Sequence, residues 1–375
     1  MGFKVENNKK KYGYWEMHNL KNYDIYQKAT CDNVYIGFCT KGKSKTSEQK
    51  PLNSFNSSHK NADMVLYQEI LDAWLYYSQH TVKESTFARY ANLINCHILN
   101  ELGKYPVNII STPLLEQYVS ELLNNGRVDG KGGLSPKTVK DILTVIKSSI
   151  EYARKRGYPI ICSPQTISVK SQGNRIKVLS QKEHNQLTQW LLEDIDLCKM
   201  GVLLSLFTGI RIGELCALRW ENICLKDRVI KISETIQRVQ NVNPNDTKRT
   251  KIIITEPKSI CSTRNIPLPA CIHELLQRFE SNPKAFVLTG EVDKYIEPRT
   301  MQNRFKRYLK EANIPEINYH SLRHTFATRC VSLDFEIKSL SEILGHANVN
   351  ITLNRYVHSS FELKKSNMNK LTLEV

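Results

Sequence analysis

The sequence His-Ser-Leu-Arg-His at residues 320–324 places a histidine and an arginine three positions apart. On a helix, residues with this spacing lie on one face, so His320 and Arg323 would point the same way while Leu322 points to the core. A guanidinium keeps its charge at physiological pH, and its fork matches two phosphate oxygens. The neighbouring histidine can donate a hydrogen bond to the same phosphate or transfer a proton. The segment therefore predicts a phosphate-binding site on a helix.

The same segment also allows a metal site. His320 and His324 are four positions apart, which is the spacing of two zinc ligands on one helix. However, the glutamate of the helical metalloprotease motif is missing, and the sequence offers no evident third ligand. The ten cysteines include no CxxC pair, which favours reduced thiols over a zinc cluster or a disulfide framework. We therefore expect no metal, and we expect His324 to pack or to form a local hydrogen bond.

A second arginine follows the apolar run at residues 202–207, within Thr-Gly-Ile-Arg-Ile-Gly-Glu-Leu at 208–215. Gly209 is suited to end one helix before another begins at Ile212, which would present Arg211 in a cleft. A surface arginine at a helix end is the simpler interpretation of this motif. A second cation nevertheless suits phosphodiester cleavage, because charge grows on the phosphate oxygens during that reaction.

The last informative stretch contains Leu-Gly-His at 344–346 and Tyr-Val-His at 356–358. A phenol with a pKa of about 10 is mostly protonated at neutral pH, so attack by Tyr356 requires a base or a cationic site. Arg211, Arg323 and His320 would supply that positive field. Gly345 is expected to end the preceding helix, which leaves a role in the capping loop as the alternative for His346.

Together these four windows resemble the tyrosine recombinase family, the integrases of phages and conjugative transposons. The resemblance implies that Tyr356 is the nucleophile of a 3′-phosphotyrosyl intermediate and that Glu214 supports the arginine before it. It also implies six catalytic residues: Arg211, Lys258, His320, Arg323, His346 and Tyr356.

The lysine at position 258 is identified through a predicted hairpin. It lies in a short turn between strand-like segments at 252–254 and 264–267. The matching lysine of the family tops such a hairpin and protonates the leaving 5′ oxygen. Lys248, Lys251 and Arg264 are nearby competitors for this role.

Composition agrees with a nucleic-acid partner. The chain has 53 Lys plus Arg against 37 Asp plus Glu, a formal charge of +16, so a polyanion is the default partner, although many proteins are basic for solubility alone. No apolar run approaches the roughly 18 residues of a membrane helix, and the polar N-terminus lacks a signal-peptide core. We expect a cytoplasmic, prokaryotic protein with no membrane partner, associated with the nucleoid when it binds DNA.

The length of 375 residues and the changes in pattern predict a multidomain chain. Residues 1–60 are a small basic module, similar in position and charge to the family's arm-type DNA-binding modules. Residues 62–162 have helical periodicity and match the all-α, SAM-like core-binding domain. A linker at 163–174 then leads to a mixed α+β catalytic domain at 175–375, in which Ser180 and Glu183 form a predicted capping box.

A basic helix face is the candidate DNA surface of the helical domain. Ser135 and Pro136 begin a helix, an apolar stripe runs from Val139 to Ala153, and Gly157 ends it. A solvated face is the alternative interpretation of this charge. The candidate DNA-binding residues are Arg89, Lys137, Lys140 and Lys147.

The resemblance implies a site-specific DNA recombinase that integrates and excises a mobile element. Its partners would be double-stranded attachment sites, further copies in a homotetramer on DNA, and accessory DNA-bending or excision proteins. No cofactor is expected, because the phosphotyrosyl ester conserves the bond energy and the chain has no Walker-type loop. Two alternatives stay open: a type IB topoisomerase-like enzyme that relaxes DNA, and a DNA-binding protein without catalysis.

Overall fold

The computed structural model describes residues 23–30, 33–40, 65–170, 177–241, 247–256, 260–356 and 368. The chain divides into two compact units, residues 1–173 with 239–251 and residues 174–238 with 252–375. The predicted fold class, a helical unit before a mixed α+β unit, is confirmed. Among the residues that the structure describes, every helix is too short or too polar to cross a membrane.

Two strands precede the helical unit. Strand β1 (Tyr23–Thr30) pairs antiparallel with β2 (Asn33–Thr40), with Tyr23 opposite Thr40 at one end of the register. Aromatic and β-branched residues cluster in this segment, and such residues favour strands. The DNA-binding role of this module stays a prediction.

The helical unit is built around one long amphipathic helix. Its elements are α1 (Tyr67–Gln79), α2 (Glu84–Leu93), a π-helical continuation (Ile94–Gly103), α3 (Thr112–Asn125) and α4 (Pro136–Lys155). The Ser135 hydroxyl accepts a hydrogen bond from the Thr138 amide at 3.1 Å, which caps α4 as predicted. The apolar stripe of α4 is buried, and Gly157 follows it with φ +81°. This helix therefore follows its local sequence signals closely.

The segment predicted to be a linker is partly packed. Ile167 and Val169 are buried in the same core as α4, and Cys162 joins them. These three apolar residues show no helical or strand periodicity in the sequence, yet they pack this stretch against the helical unit. Residues 171–176, the rest of the predicted linker, lie outside the described residues.

The second unit combines eight helices with short strands in its described residues. Its elements are α5 (Gln181–Glu193), α6 (Leu197–Thr208), α7 (Ile212–Ala217), β3 (Ile223–Cys224), β4 (Val229–Ile232), β5 (Thr235–Gln240), β6 (Thr250–Thr255), β7 (Arg264–Pro267), α8 (Ala270–Gln277), α9 (Pro298–Glu311), α10 (His320–Ser332), α11 (Ile337–Leu344) and α12 (Val349–Tyr356). Strands β3, β4 and β7 form one sheet in that order, and β5 pairs with β6. The capping box of α5 is confirmed, since the Ser180 amide donates to the Glu183 carboxylate at 2.8 Å.

Helix α6 is the central helix of this unit. It is buried over nearly its whole length, and α5 and α10 both pack on it. The Ser205 hydroxyl on α6 lies 3.0 Å from the hydroxyl of Tyr319, the residue before α10. Because α10 is packed against α6 along its length, the C-terminal end of α6 lies beside the first turn of α10.

Candidate active site

The turn that carries Arg211 is built by two helix ends. Helix α6 ends at Gly209, whose φ of +66° favours glycine, and α7 begins directly after Arg211, as predicted. The Arg211 amide donates to the Glu214 carboxylate at 3.0 Å, and its guanidinium donates to the same carboxylate at 2.7 Å. The side chain of Arg211 is one-third exposed, so part of its guanidinium faces solvent.

Glu214 is shared by two arginines. Its carboxylate also accepts hydrogen bonds from both terminal nitrogens of Arg264, at 3.1 and 2.9 Å. Burial by itself raises the pKa of Glu214, but the hydrogen bonds and charge of Arg264, with the charge of Arg211, outweigh it and lower the pKa. The sequence suggested Arg264 only as a competitor of Lys258. The structure instead makes it the buried partner of Glu214.

These two arginines, together with Arg323, bind the C-terminal end of α11. Backbone carbonyls at a helix C-terminus lack partners within the helix and carry partial negative charge. Here three consecutive carbonyls each accept a hydrogen bond from a different arginine: Ile343 from Arg264 at 2.6 Å, Leu344 from Arg323, and Gly345 from Arg211 at 3.0 Å. These bonds attach the loop of His346 to the arginine cluster.

Arg323 lies on α10 as predicted, but its side chain is buried rather than exposed at the surface. Its side chain is inside the unit, and its guanidinium also donates to the Gly209 carbonyl at 2.9 Å. Burial, followed by the positive charges of Arg211 and Arg264, lowers the pKa of Arg323 to about 9. The guanidinium therefore remains cationic at neutral pH while it is almost completely desolvated.

His320 occupies the exposed first turn of the same helix. Its ring lies edge-on to that of His324, with centroids 4.7 Å apart. The pKa of His320 is lowered, first by partial desolvation and then by the positive charges around it, those of His324 and Arg323 among them. His320 is therefore mainly neutral at pH 7.

Tyr356 ends α12 with its hydroxyl inside this cluster. The residue is 6% exposed, and its hydroxyl lies 2.7 Å from Nδ1 of His324. His324 is buried and packs on His320, as expected, but its hydrogen bond is not local, because the partner is 32 positions away. Burial raises the pKa of Tyr356, while Arg323 and Arg355 lower it by a smaller amount. The charges of Arg323, Arg355 and Arg211 favour the phenolate, but burial outweighs them, so the phenol is protonated at neutral pH.

His346 packs beside the same tyrosine. Gly345 ends α11 with φ +62°, as predicted, and the imidazole of His346 is parallel to the Tyr356 ring within 6° at a centroid distance of 6.5 Å. Its Nδ1 lies 2.8 Å from the hydroxyl of the buried Thr352. Burial, then the charges of Arg323 and Arg211, lower the pKa of His346 to about 4.

Lys258 lies outside the described residues, but the strands on either side of it are described. Strand β6 pairs with β5, whereas β7 pairs with β4 in another sheet. The predicted hairpin between 252–254 and 264–267 is therefore wrong, because each strand has a different partner.

The candidate DNA-binding residues of the helical unit differ in their surroundings. Arg89 is exposed and forms an ion pair with Asp141. The ammonium group of Lys147 donates to the Ile167 carbonyl at 2.9 Å, which ties it to the packed segment after α4. Lys137 and Lys140 are exposed on α4. These contacts give Lys147 a structural role that its place on the basic face did not indicate.

Comparison with known proteins identifies the family. The model of the phage integrase family matches residues 177–362, and that of the phage integrase N-terminal SAM-like domain matches residues 66–123. The chain is 25% identical to the tyrosine recombinase XerC-like protein of Caldanaerobacter subterraneus subsp. tengcongensis, over 85% of this chain and 86% of that protein. It is 29% identical to the transposase of transposon Tn916 of Enterococcus faecalis, over 52% and 51%.

Solved structures show the same fold. The Tn1549 transposon integrase in complex with a circular intermediate DNA has a TM-score of 0.68 at 21% identity, covering 82% of this chain and 99% of that one. The lambda integrase tetramer bound to a Holliday junction has a TM-score of 0.55 at 18% identity, covering 91% and 95%. The chain belongs to the phage integrase family and is a tyrosine-type site-specific DNA recombinase.

Proposed function

We propose that this recombinase integrates and excises a mobile element by cleaving double-stranded attachment sites through a 3′-phosphotyrosyl intermediate on Tyr356. The observation that carries the proposal is the position of its hydroxyl. It is buried within a cluster that contains Arg211 and Arg323, and both charges act on the phenol. A phenol beside two guanidinium groups is the arrangement that attack on a phosphodiester requires.

Arg211 and Arg323 would bind the scissile phosphate by replacing their present hydrogen bonds to backbone carbonyls with hydrogen bonds to the phosphate. In this state they donate to the carbonyls of Gly345 and Leu344. A phosphate carries a full negative charge and forms stronger charge-assisted hydrogen bonds than a carbonyl, so it can displace at least the Gly345 carbonyl from Arg211, whose side chain is one-third exposed. Glu214 and Arg264 would hold Arg211 in place during this exchange.

The remaining catalytic roles follow from charge and position. His320 and His346 would donate to the phosphate, and Lys258 would protonate the departing 5′ oxygen. The 5′ hydroxyl of a partner duplex then attacks the phosphotyrosyl ester, so bond energy is conserved without a nucleotide.

Partners are proposed from the relatives. The Tn1549 integrase is bound to a circular intermediate DNA and the lambda integrase is a tetramer on a Holliday junction, which supports element DNA as substrate and a homotetramer as the active form. Accessory DNA-bending or excision proteins and a cytoplasmic location belong to the same proposal. Within the chain, residues 62–162 would contact the duplex, with Lys137 and Lys140 on the DNA-facing side.

Covalent trapping tests the proposal. A nicked suicide duplex made from the DNA flanking the gene should become attached to the wild-type protein, and Tyr356→Phe should abolish the adduct while DNA binding persists. Tyr295→Phe is the matched control, since this exposed tyrosine packs on Phe286 away from the cluster. A wild-type protein that binds the site without forming an adduct would contradict the proposal. Efficient relaxation of a supercoiled plasmid lacking the site would instead indicate a topoisomerase.

A further inference from the structure

The Tyr356 hydroxyl is in contact with His324, the second histidine of the 320–324 segment, and Tyr356 also forms a side-chain hydrogen bond with Arg355. Nδ1 of His324 lies 2.7 Å from the phenolic oxygen, a normal hydrogen-bond length. The rings are tilted by 48° with centroids 5.6 Å apart, so the contact joins the ring edge to the hydroxyl. Both residues are buried, at 7% and 6% exposure, which limits competition from water.

The direction of this hydrogen bond depends on the tautomer of His324. A neutral imidazole has one donor and one acceptor nitrogen, and a phenol is a good donor. Burial, and then the positive charges of Arg355 and Arg323, lower the pKa of His324 to about 4. The ring is therefore neutral at pH 7. With the proton on Nε2, Nδ1 accepts the hydrogen bond and the phenol donates it.

We infer that His324 is a catalytic residue that takes the phenolic proton of Tyr356 as the tyrosine attacks the phosphate. The inference rests on the proposed function and adds to it the acceptor of the nucleophile's proton. His320 had been the candidate for that transfer in the sequence. Its ring instead lies edge-on to His324, at the exposed first residue of the same helix.

Attack by Tyr356 on the phosphate needs no further reactant to accept the phenolic proton. The O–H bond of Tyr356 breaks, its proton binds Nδ1 of His324, and the phenolic oxygen forms a bond to phosphorus. The bond from phosphorus to the 5′ oxygen breaks, and that oxygen takes a proton from another donor, proposed to be Lys258. When the 5′ hydroxyl later attacks the ester, its proton goes to Lys258, and His324 returns its own proton to the departing tyrosine oxygen.

DNA itself would make His324 a better base. Without a bound anion, the charges of Arg323 and Arg355 oppose protonation of the imidazole. A phosphate held by Arg211 and Arg323 partly neutralises this field and so favours the imidazolium. Proton transfer is then coupled to substrate binding, because the acceptor gains basicity as the phosphate arrives.

His324→Asn is the decisive variant. An asparagine oxygen can accept the phenolic hydrogen bond but has no useful basicity, so the variant separates positioning from proton transfer. Single-turnover adduct formation would be measured on a suicide duplex with the normal 5′ oxygen and on one with sulfur in its place. A thiolate leaves without protonation because thiols are far more acidic than alcohols. Lys258→Ala is the matched control on the leaving-group side.

The expected result is a loss of about 100-fold or more for His324→Asn on both duplexes, with DNA affinity and thermal midpoint near wild type. The sulfur duplex should restore Lys258→Ala but not His324→Asn. Near wild-type rates for His324→Asn, or their restoration by sulfur, would overturn the inference. Failure of the wild type itself to form an adduct would count against the proposed function instead.

A second measurement does not depend on the folding of a histidine variant. In protein labelled with ¹⁵N-histidine, Nδ1 of His324 should appear as an unprotonated acceptor, and Tyr356→Phe should shift that signal by removing its donor. Phenylalanine keeps the ring and loses only the hydroxyl. An unchanged histidine spectrum in Tyr356→Phe would contradict the contact and with it the inference.

Discussion

Replacing Arg264 with methionine tests whether the buried carboxylate of Glu214 requires two arginines. The side chains of Arg264 and Glu214 are 5% and 3% exposed. Methionine keeps most of the aliphatic length but removes two hydrogen bonds to the carboxylate and one to the Ile343 carbonyl. Removal of one partner from a buried ion pair costs about 3–5 kcal/mol, because the other charge stays desolvated. Arg211 still contacts Glu214, so we expect the low end, about 3 kcal/mol of unfolding free energy.

Urea unfolding followed by tryptophan fluorescence would measure this loss, since Trp220 lies in the core of the same unit. Arg238→Met is the matched control, because Arg238 also donates two hydrogen bonds to one carboxylate, that of Glu297, but at the surface. The control should lose far less stability, because solvent screens an exposed pair. Equal losses in the two variants would refute the reasoning. Glu214→Gln should also be less harmful in the Arg264→Met background than in the wild type.

Three further predictions concern other parts of the chain. Gly209→Ala should destabilise the protein by about 1–3 kcal/mol, because φ is +66° and the new Cβ would lie 2.6 Å from Phe326; an unchanged urea midpoint would contradict this. His324 and His346 have pKa values lowered from 6.5 to about 4, so the unfolded chain binds more protons and stability is lost as pH falls from about 6.5 to about 4. A thermal midpoint that stays constant over that range would show that these histidines titrate normally. Lys137→Gln should weaken DNA binding and reduce its logarithmic salt slope by about 0.9, whereas an unchanged slope would remove Lys137 from the interface.

Local signals in the sequence were reliable guides to the secondary structure near the site. Gly209 and Gly345 end α6 and α11 where predicted, since a left-handed residue after a helix is a property of the chain at that point. The cap at Ser135 and the capping box at Ser180 each depend on a residue three positions away, so both could also be predicted from the sequence. Pairing between strands was harder to predict from the sequence, and the hairpin expected around Lys258 was wrong.

The sequence also indicated the chemical class of the site. Few other residue types can perform this phosphate chemistry, and the residues that can do so occur here in a characteristic order. It did not indicate Arg264 as the partner of Glu214. A buried carboxylate needs more positive charge than the partly exposed Arg211 supplies, but burial is known only once the core is assembled.

The order of motifs and the helix ends were thus determined by the sequence itself, since each depends on neighbours along the chain. Only the tertiary structure decided that His324 rather than His320 contacts Tyr356, and that Arg264 balances Glu214. These contacts join residues 32 and 50 positions apart. A hydrogen bond tolerates an error of only a few tenths of an ångström, and such accuracy comes from packed helices rather than from spacing in the chain.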